Sequence, residues 1–402
     1  MSEKNILFIS WQGGMGHVTR DLAIVRELKN AAPQVKVHWM AHSQAARFLR
    51  QAGETLLPET ELVADYNLVG AQIVEDFRLD LVKYAKLSDA PKRQNARLAE
   101  QVQNKYRFDL IVGDEIYGIM YGLAAGEIRL DCPVVMIEDF ISYRSLNKNP
   151  LMRLVAFSKN RNIVRSVEKT ASRIKHLFVG EWEDVPNRQF DYFLPHCRDF
   201  VRQYYQIIGH IIRFDPQIYK DKMSVRRRLG YDGEGPLIIC ATGGTVAGKE
   251  LLELCGRAYP LLKTEIPALR MVFVCGELYD KNPPRLPDNA ELHRFLPNIY
   301  EHYAACDLAI VVAGGTTTIE LTALQIPFLF FPLENQFDQQ LYVSERIARH
   351  GAGVRMEYRK TTPEELAQAV KENLGRKVDV NSVPFDGARK AAEIIRDSIN
   401  GN

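Results

Sequence analysis

What this chain lacks narrows its function first. It has no excess charge of one sign: 52 Lys and Arg stand against 50 Asp and Glu, a formal net charge of +2. A whole-protein field of the kind that draws nucleic acid is therefore absent, and nucleic acid is not expected as a partner. It has few cysteines, six in 402 residues, none at CxxC spacing. Cys240 and Cys275 lie inside apolar runs, so free buried thiols in a reducing compartment are expected rather than disulfides or metal ligands. No apolar run approaches the roughly 18 residues of a membrane helix. The first strand begins within about five residues of the start, which leaves no room for a signal peptide. A cytoplasmic protein is expected, with contact at the inner face of a membrane left open.

What the chain has is alternation. Apolar runs of strand length at 5–10, 35–40, 109–113 and 133–137 alternate with helical periodicity at 17–30, 43–52, 91–105 and 117–127. The pattern restarts at Leu237–Ala241 and continues with strands 270–275, 308–312 and 327–331, and helices 316–325 and 338–349. This predicts parallel βαβ units in two doubly wound α/β sheets. Residues 213–235 lose strand periodicity and gather charge, Gly and Pro, so a hinge is expected there. It would separate a domain 1–212 from a domain 236–402, with the last helix, about 386–400, packing back on the first. Ligands of open parallel sheets bind beyond the strands' carboxyl ends, so a cleft between two such sheets is the expected site.

Three glycine turns follow strands. In "SWQGGMGHVTRDLA", Gly13, Gly14 and Gly16 permit a tight turn at a helix N-terminus. The turn falls one residue short of GxGxxG, and the second strand ends in Met40, Ala41 and His42 without the acid that a dinucleotide ribose requires. A dehydrogenase is disfavoured. His17 at the tip of this turn is either a capping residue or a base. Asp114, ending another strand of the same sheet, could fix its tautomer or else cap the helix near Tyr117. Thr242, Gly243, Gly244 and Thr245 offer amides and hydroxyls to a phosphate. They are no Walker loop, because Glu250 stands where Ser or Thr is needed. In "VVAGGTTTIELTALQIPFLFFPLENQFDQQ", Gly314, Gly315, Thr316 and Thr317 form a third amide-rich turn. Glu320 there suits either the helix dipole or two ribose hydroxyls. The polar loop from Glu334 to Gln340 suits a sugar rim or a solvated loop with Asp338 as N-cap.

These motifs, Gly-Gly-Met-Gly-His, Ala-Gly-Gly-Thr-Thr-Thr-Ile-Glu and Asp-Gln-Gln, resemble those of the GT-B nucleotide-sugar glycosyltransferases, in particular the MurG-type N-acetylglucosaminyltransferases and the UDP-glycosyltransferases. The resemblance implies two facing Rossmann-like domains, the acceptor on the first and a UDP-sugar co-substrate on the second, with no other cofactor. It implies His17 as the base, Asp114 as its orienting acid and Glu138 in "MIEDF" as a rival or auxiliary base. Gly14 and Gly16 would contribute to the donor site. The backbone of Phe295 and Leu296 would meet the uracil, and Thr242–Thr245 with Gly314–Thr317 the diphosphate. Glu320 would bind the ribose, and Asp338 and Gln339 the hexose hydroxyls. No Asp-x-Asp pair is present, so no metal is expected. Retaining relatives carry two glutamates eight residues apart; counting from Glu320, the positions hold Val312 and Phe328, which predicts inversion.

The acceptor is expected to be a glycan, lipid-linked or small-molecule hydroxyl. Between Arg144 and Lys175 stand nine Lys/Arg and one acid, Glu168, among apolar residues. The stretch suits either a solvated helix or an anionic membrane surface. A GT-B nucleotide-sugar 2-epimerase and a non-catalytic sugar-nucleotide-binding protein are the alternatives.

Overall fold

The structure, a computed structural model, describes residues 4–65, 70, 72–146, 150–231, 233–244, 248–276, 283–380 and 383–399. The chain divides into two compact units. The first comprises residues 1–69, 82–213 and 384–402, and the second 70–81 and 214–383.

In the first unit six strands form one sheet: β1 Lys4–Ser10, β2 Val35–Ala41, β3 Leu110–Asp114, β4 Val134–Glu138, β5 Ile174–Val179 and β6 Tyr205–Gly209. Their order is β2-β1-β3-β4-β5-β6, with every pairing parallel. Near-continuous apolar runs such as Ile6–Ile9 and Leu110–Val112 are wholly buried, as strands covered by helices on both faces must be. One face of the sheet packs Leu110, Val112, Val135 and Ile137 against the helix Met15–Ala31. The other packs Ile111, Val134 and Met136 with a separate core. The helix Gly387–Ile399 closes the first face, burying Ala388, Ala391, Ala392 and Ile395 beside Val25 and Leu28. That i, i+3, i+4, i+7 spacing makes one apolar stripe. Burying Ile395 alone contributes about 1.5–3 kcal/mol.

The second unit has its own parallel sheet: β7 Leu237–Ala241, β8 Arg270–Val274, β9 Glu291–His293, β10 Leu308–Val312, β11 Phe328–Phe331 and β12 Gly353–Arg355. The order is β9-β8-β7-β10-β11-β12. Residues 213–235, expected as a hinge, include folded parts of this unit. The helix Lys222–Arg228 is held at the start of β10, where Asp307 pairs with Lys222 at 3.1 Å and with Arg226, and accepts the Leu237 N–H at 2.9 Å. Residues 70–81, which lie within the first domain in sequence, join this unit as well. Their short hairpin, Val74–Glu75 with Arg78–Leu79, bonds Leu79 N–H to the Glu334 carbonyl at 2.9 Å.

Each sheet reverses its winding once, between β1 and β3 and between β7 and β10. At such a switch the loops leave in opposite directions and open a crevice at the carboxyl ends. The first glycine turn and Asp114 flank one switch; the turns after β7 and β10 flank the other.

Candidate functional site

The parallel register aligns the ends of β1, β3 and β4, since Ile9 pairs Gly113 and Asp114 pairs Ile137. Side chains alternate faces along a strand, so Asp114 shares a face with Leu110 and Val112, toward the helix Met15–Ala31. That helix starts after Gly14 at φ 87°, a conformation open to glycine and closed to most residues bearing a Cβ. His17 and Arg20 lie three residues apart on the same side of its first turns.

The pairing of His17 with Asp114 is present. His17 Nδ1 lies 3.1 Å from Asp114 Oδ1, with the carboxylate fully buried and the imidazole partly exposed. Asp114 does not cap the following helix, whose N-cap is Ile116. The sequence reading missed Arg20 and Asp139. Arg20 donates from Nη2 to Asp114 Oδ1 at 2.6 Å and from Nε to Oδ2, and its Nη1 meets Asp139 Oδ2 at 2.6 Å. Its Nη2 also lies 3.1 Å from His17 Nδ1. Nδ1 can donate to Asp114 or accept from Arg20, not both. A proton on Nδ1 is met by the ionised Asp114 carboxylate, and that tautomer makes Nε2 the accepting nitrogen.

Electrostatics support that state. Burial alone would raise the Asp114 carboxyl, but Arg20 and then His17 hold it below the usual range. Asp139 is likewise held low against its burial, chiefly by Arg20. Two neighbouring acids go the other way. Burial, then Asp114, lifts Asp21 well above the ordinary carboxyl range, and burial, then Asp139, does the same for Glu115. His17, Asp114 and Glu115 present ligand atoms within 4.8 Å of one another, as a cation would need. Arg20 already occupies both oxygens of Asp114, which disfavours a cation there.

Glu138 requires correction. It is the last residue of β4 and shares the face of Val134 and Met136, opposite that of His17. Its carboxylate is buried 2.6 Å from His176 Nδ1, with the Tyr205 ring against the imidazole. The acid on His17's face is its neighbour Asp139. Period two was the signal available in the sequence: Val135, Ile137 and Asp139 alternate with Val134, Met136 and Glu138.

In the second unit, the helix Gly315–Ala323 follows β10 with Gly314 as N-cap. Thr318 N–H donates to Gly314 at 3.0 Å, so the amides of Gly315, Thr316 and Thr317 lie ahead of that first helical bond. Thr316 and Thr317 are half-buried, whereas the Thr318 hydroxyl turns back to the Gly314 carbonyl at 2.9 Å. Glu320 is buried one turn further on. After β7, Gly243 has φ 79° and is exposed, with Gly244 half-buried beside it. Thr242 is buried and donates its hydroxyl to the Cys275 carbonyl at 3.1 Å, so it supports the loop instead of offering that proton to a ligand. Thr245 lies outside the described residues. Phe295 is half-exposed and Leu296 buried.

The polar loop after β11 spends much of its hydrogen bonding on itself. Gln339 Oε1 accepts the Leu333 N–H at 2.8 Å, and Gln340 Nε2 donates to the Pro332 and Leu333 carbonyls. Glu334 pairs with Arg359, and Asn335 donates to Leu79. Asp338 opens a π-helical turn, Asp338–Val343, whose N-cap is Phe337, so the N-cap alternative is not realised. Wide turns of this kind are frequent at functional sites.

The helix Pro150–Thr170 buries Ala156, Asn160, Ile163, Val164 and Val167. Leu151, Arg153, Leu154, Arg161 and Arg165 are exposed on it. Asn160 Nδ2 ties it to the Phe190 carbonyl at 3.0 Å. That loop carries Tyr192, 79% exposed, and Phe193, 100% exposed at φ 61°. No helix among the described residues is long and apolar enough to cross a membrane.

Comparison with known proteins gives the class. The glycosyltransferase family 28 C-terminal domain matches residues 238–386. An uncharacterized glycosyltransferase of Methanosarcina acetivorans is 24% identical over 386 residues, 92% of this chain and 89% of its own length. The UDP-N-acetylglucosamine–N-acetylmuramyl-(pentapeptide) pyrophosphoryl-undecaprenol N-acetylglucosamine transferase of Rickettsia felis is 24% identical over 224 residues. That match spans 54% of this chain and 59% of the relative. The crystal structure of Acinetobacter baumannii MurG aligns at TM-score 0.54 with 18% identity, covering 99% of this chain and 100% of that one. The fold is GT-B, and the protein is a glycosyltransferase. The stretch that matches the family 28 C-terminal domain, residues 238–386, covers most of the second unit.

Proposed function

We propose that the chain transfers a hexose or N-acetylhexosamine from a UDP-sugar to an acceptor hydroxyl, with inversion and without a metal. The observation that carries this reading is the His17–Asp114 pair at the switch point of the first sheet. His17 Nε2 takes the acceptor's hydroxyl proton as that oxygen bonds to the anomeric carbon. The bond from the anomeric carbon to the β-phosphate oxygen breaks, and UDP leaves with the electron pair. Asp114 stabilises the imidazolium that forms.

The second unit is read as the donor lobe. The amides of Gly315, Thr316 and Thr317 and the turn at Gly243 and Gly244 receive the diphosphate and the charge that develops on it. Glu320 accepts from the ribose, the backbone at Phe295 and Leu296 meets the uracil, and Asp338 with the Gln339 amide contacts the hexose. Arg20's hold on Asp114 supports proton transfer over metal activation at His17. Val312 and Phe328, where a second glutamate would stand for retention, support inversion.

The acceptor is read as a lipid-linked or membrane-proximal glycan. Support comes from the name of the Rickettsia felis relative, which specifies a pyrophosphoryl-undecaprenol acceptor. The exposed Leu151 and Leu154 among arginines, and the Tyr192–Phe193 tip, suit an anionic lipid surface. The test is consumption of UDP-N-acetylglucosamine by wild type and His17→Ala, with product stereochemistry read by NMR. Release of UDP that is equal in both proteins rejects the mechanism. Conversion to an epimeric UDP-sugar without acceptor rejects transfer.

A further inference from the structure

We infer that Arg20 is a positioning residue for His17: its guanidinium fork fixes Asp114 so that a single carboxylate oxygen meets Nδ1 of the imidazole. The inference rests on the reading of His17 as the base and adds how that base is kept oriented.

The helix Met15–Ala31 breaks its own amphipathic pattern here. Arg20 and Asp21 are both buried in the middle of its core-facing side. A buried guanidinium is tolerated only where its donors are met. Arg20 meets both oxygens of Asp114 and one of Asp139, a bidentate hold plus a second anchor. The first hold stops the Asp114 carboxylate from rotating. Oδ1 is thereby left facing His17 Nδ1 at 3.1 Å, which selects the tautomer with Nε2 unprotonated.

The same contacts set the charge felt by the ring. The groups about His17 are Arg20 and Asp21 on its own helix, Asp114 and Glu115 at the end of β3, Asp139 after β4, and His42 after β2. Burial first, then neighbouring charges, raise the Asp21 and Glu115 carboxyls well above the ordinary range. Burial is also the first cause that favours neutral His42. What remains is two carboxylates and one guanidinium. Without Arg20, the carboxylates of Asp114 and Asp139 would stand beside the imidazole with no cation between them.

The experiment compares Arg20→Lys, which keeps the charge and loses the fork, with Arg20→Met, which loses both. Protein labelled with 15N-histidine is titrated by NMR, with His17→Gln assigning the resonance. Consumption of UDP-N-acetylglucosamine is followed against pH in parallel. The expected result for Arg20→Lys is a weakened Nδ1–H signature and turnover lower by about 10²-fold at unchanged KM. For Arg20→Met, the pH at which the ring protonates moves upward, and the acid limb of the rate profile moves with it. Wild-type ring shifts and a wild-type acid limb in both folded variants overturn the inference. Should Arg20→Met not fold, the Arg20→Lys spectrum decides alone: a wild-type tautomer signal overturns the inference and a weakened one supports it. Should His17→Gln retain full turnover, the base reading fails, while the ring spectra still decide whether Arg20 sets the imidazole.

Discussion

The turns at the two switch points solve different problems with the same backbone device. In the first unit a glycine turn after β1 leads into a helix whose early residues are titratable: His17, Arg20 and Asp21 face Asp114 and Asp139. In the second unit the turn after β10 leads into a helix whose early residues are Gly and Thr, with one buried acid, Glu320, whereas the helix after β7 opens on Lys249 and Glu250. The first arrangement can move a proton. The turn after β10 offers amides and hydroxyls that can hold charge. A glycine turn at a helix N-terminus does not itself specify chemistry; the residues one turn into the helix do.

The sharpest way to break this comparison is to remove the proton acceptor. His17→Ala should lower turnover about 10²–10⁴-fold, while UDP affinity by calorimetry stays unchanged. A comparable loss of UDP affinity would mean that the two units do not divide the work. Next in size, Glu320→Ala should weaken UDP binding by about 1.5–3 kcal/mol, roughly 10–100-fold, with turnover at saturating donor largely kept. Smaller still, Asp139→Asn should reduce turnover several-fold. Glu138→Gln should leave turnover intact and cost about 1–3 kcal/mol of stability through its lost partner, His176. The reverse ranking would restore Glu138 as the rival or auxiliary base.

The smallest effect expected is one of pH. Asp21 keeps in the folded chain a proton that the unfolded chain releases above about pH 3.9. Its contribution to stability therefore falls as pH rises from that value through the raised folded one. Asp114 and Asp139 act oppositely: their contribution is complete above the unfolded value and is lost as pH falls through their lowered ones. Asp21→Asn should flatten the decline in Tm as pH rises above the ordinary carboxyl range, by on the order of a few degrees. A Tm–pH curve parallel to that of wild type would place the buried charge elsewhere.

Much of this was legible in order along the chain. Alternating runs located most strands to within a residue, because parallel strands covered on both faces must be apolar throughout. The weaker strands β5, β6, β9 and β12 were not legible, nor was the transfer of residues 70–81 to the second unit. Their backbone bonds and packing come from segments far away in sequence. His17 and Asp114 were legible as a pair because β1 and β3 end on one edge. Thr242 and Gln339 looked like ligand groups, yet the Thr242 hydroxyl goes to the Cys275 carbonyl after β8 and the Gln339 amide oxygen to Leu333 in its own loop.

The amino-acid sequence by itself determined the two doubly wound sheets, their glycine turns and the candidates for base and phosphate cradle, since local periodicity and backbone conformation depend on near neighbours. Only the tertiary structure decided that Asp139 and not Glu138 faces the histidine, and that Arg20 joins it. Which of two adjacent acids is turned toward a helix is set by strand register. Whether a buried arginine is an error or a clamp depends on carboxylates 94 and 119 residues away.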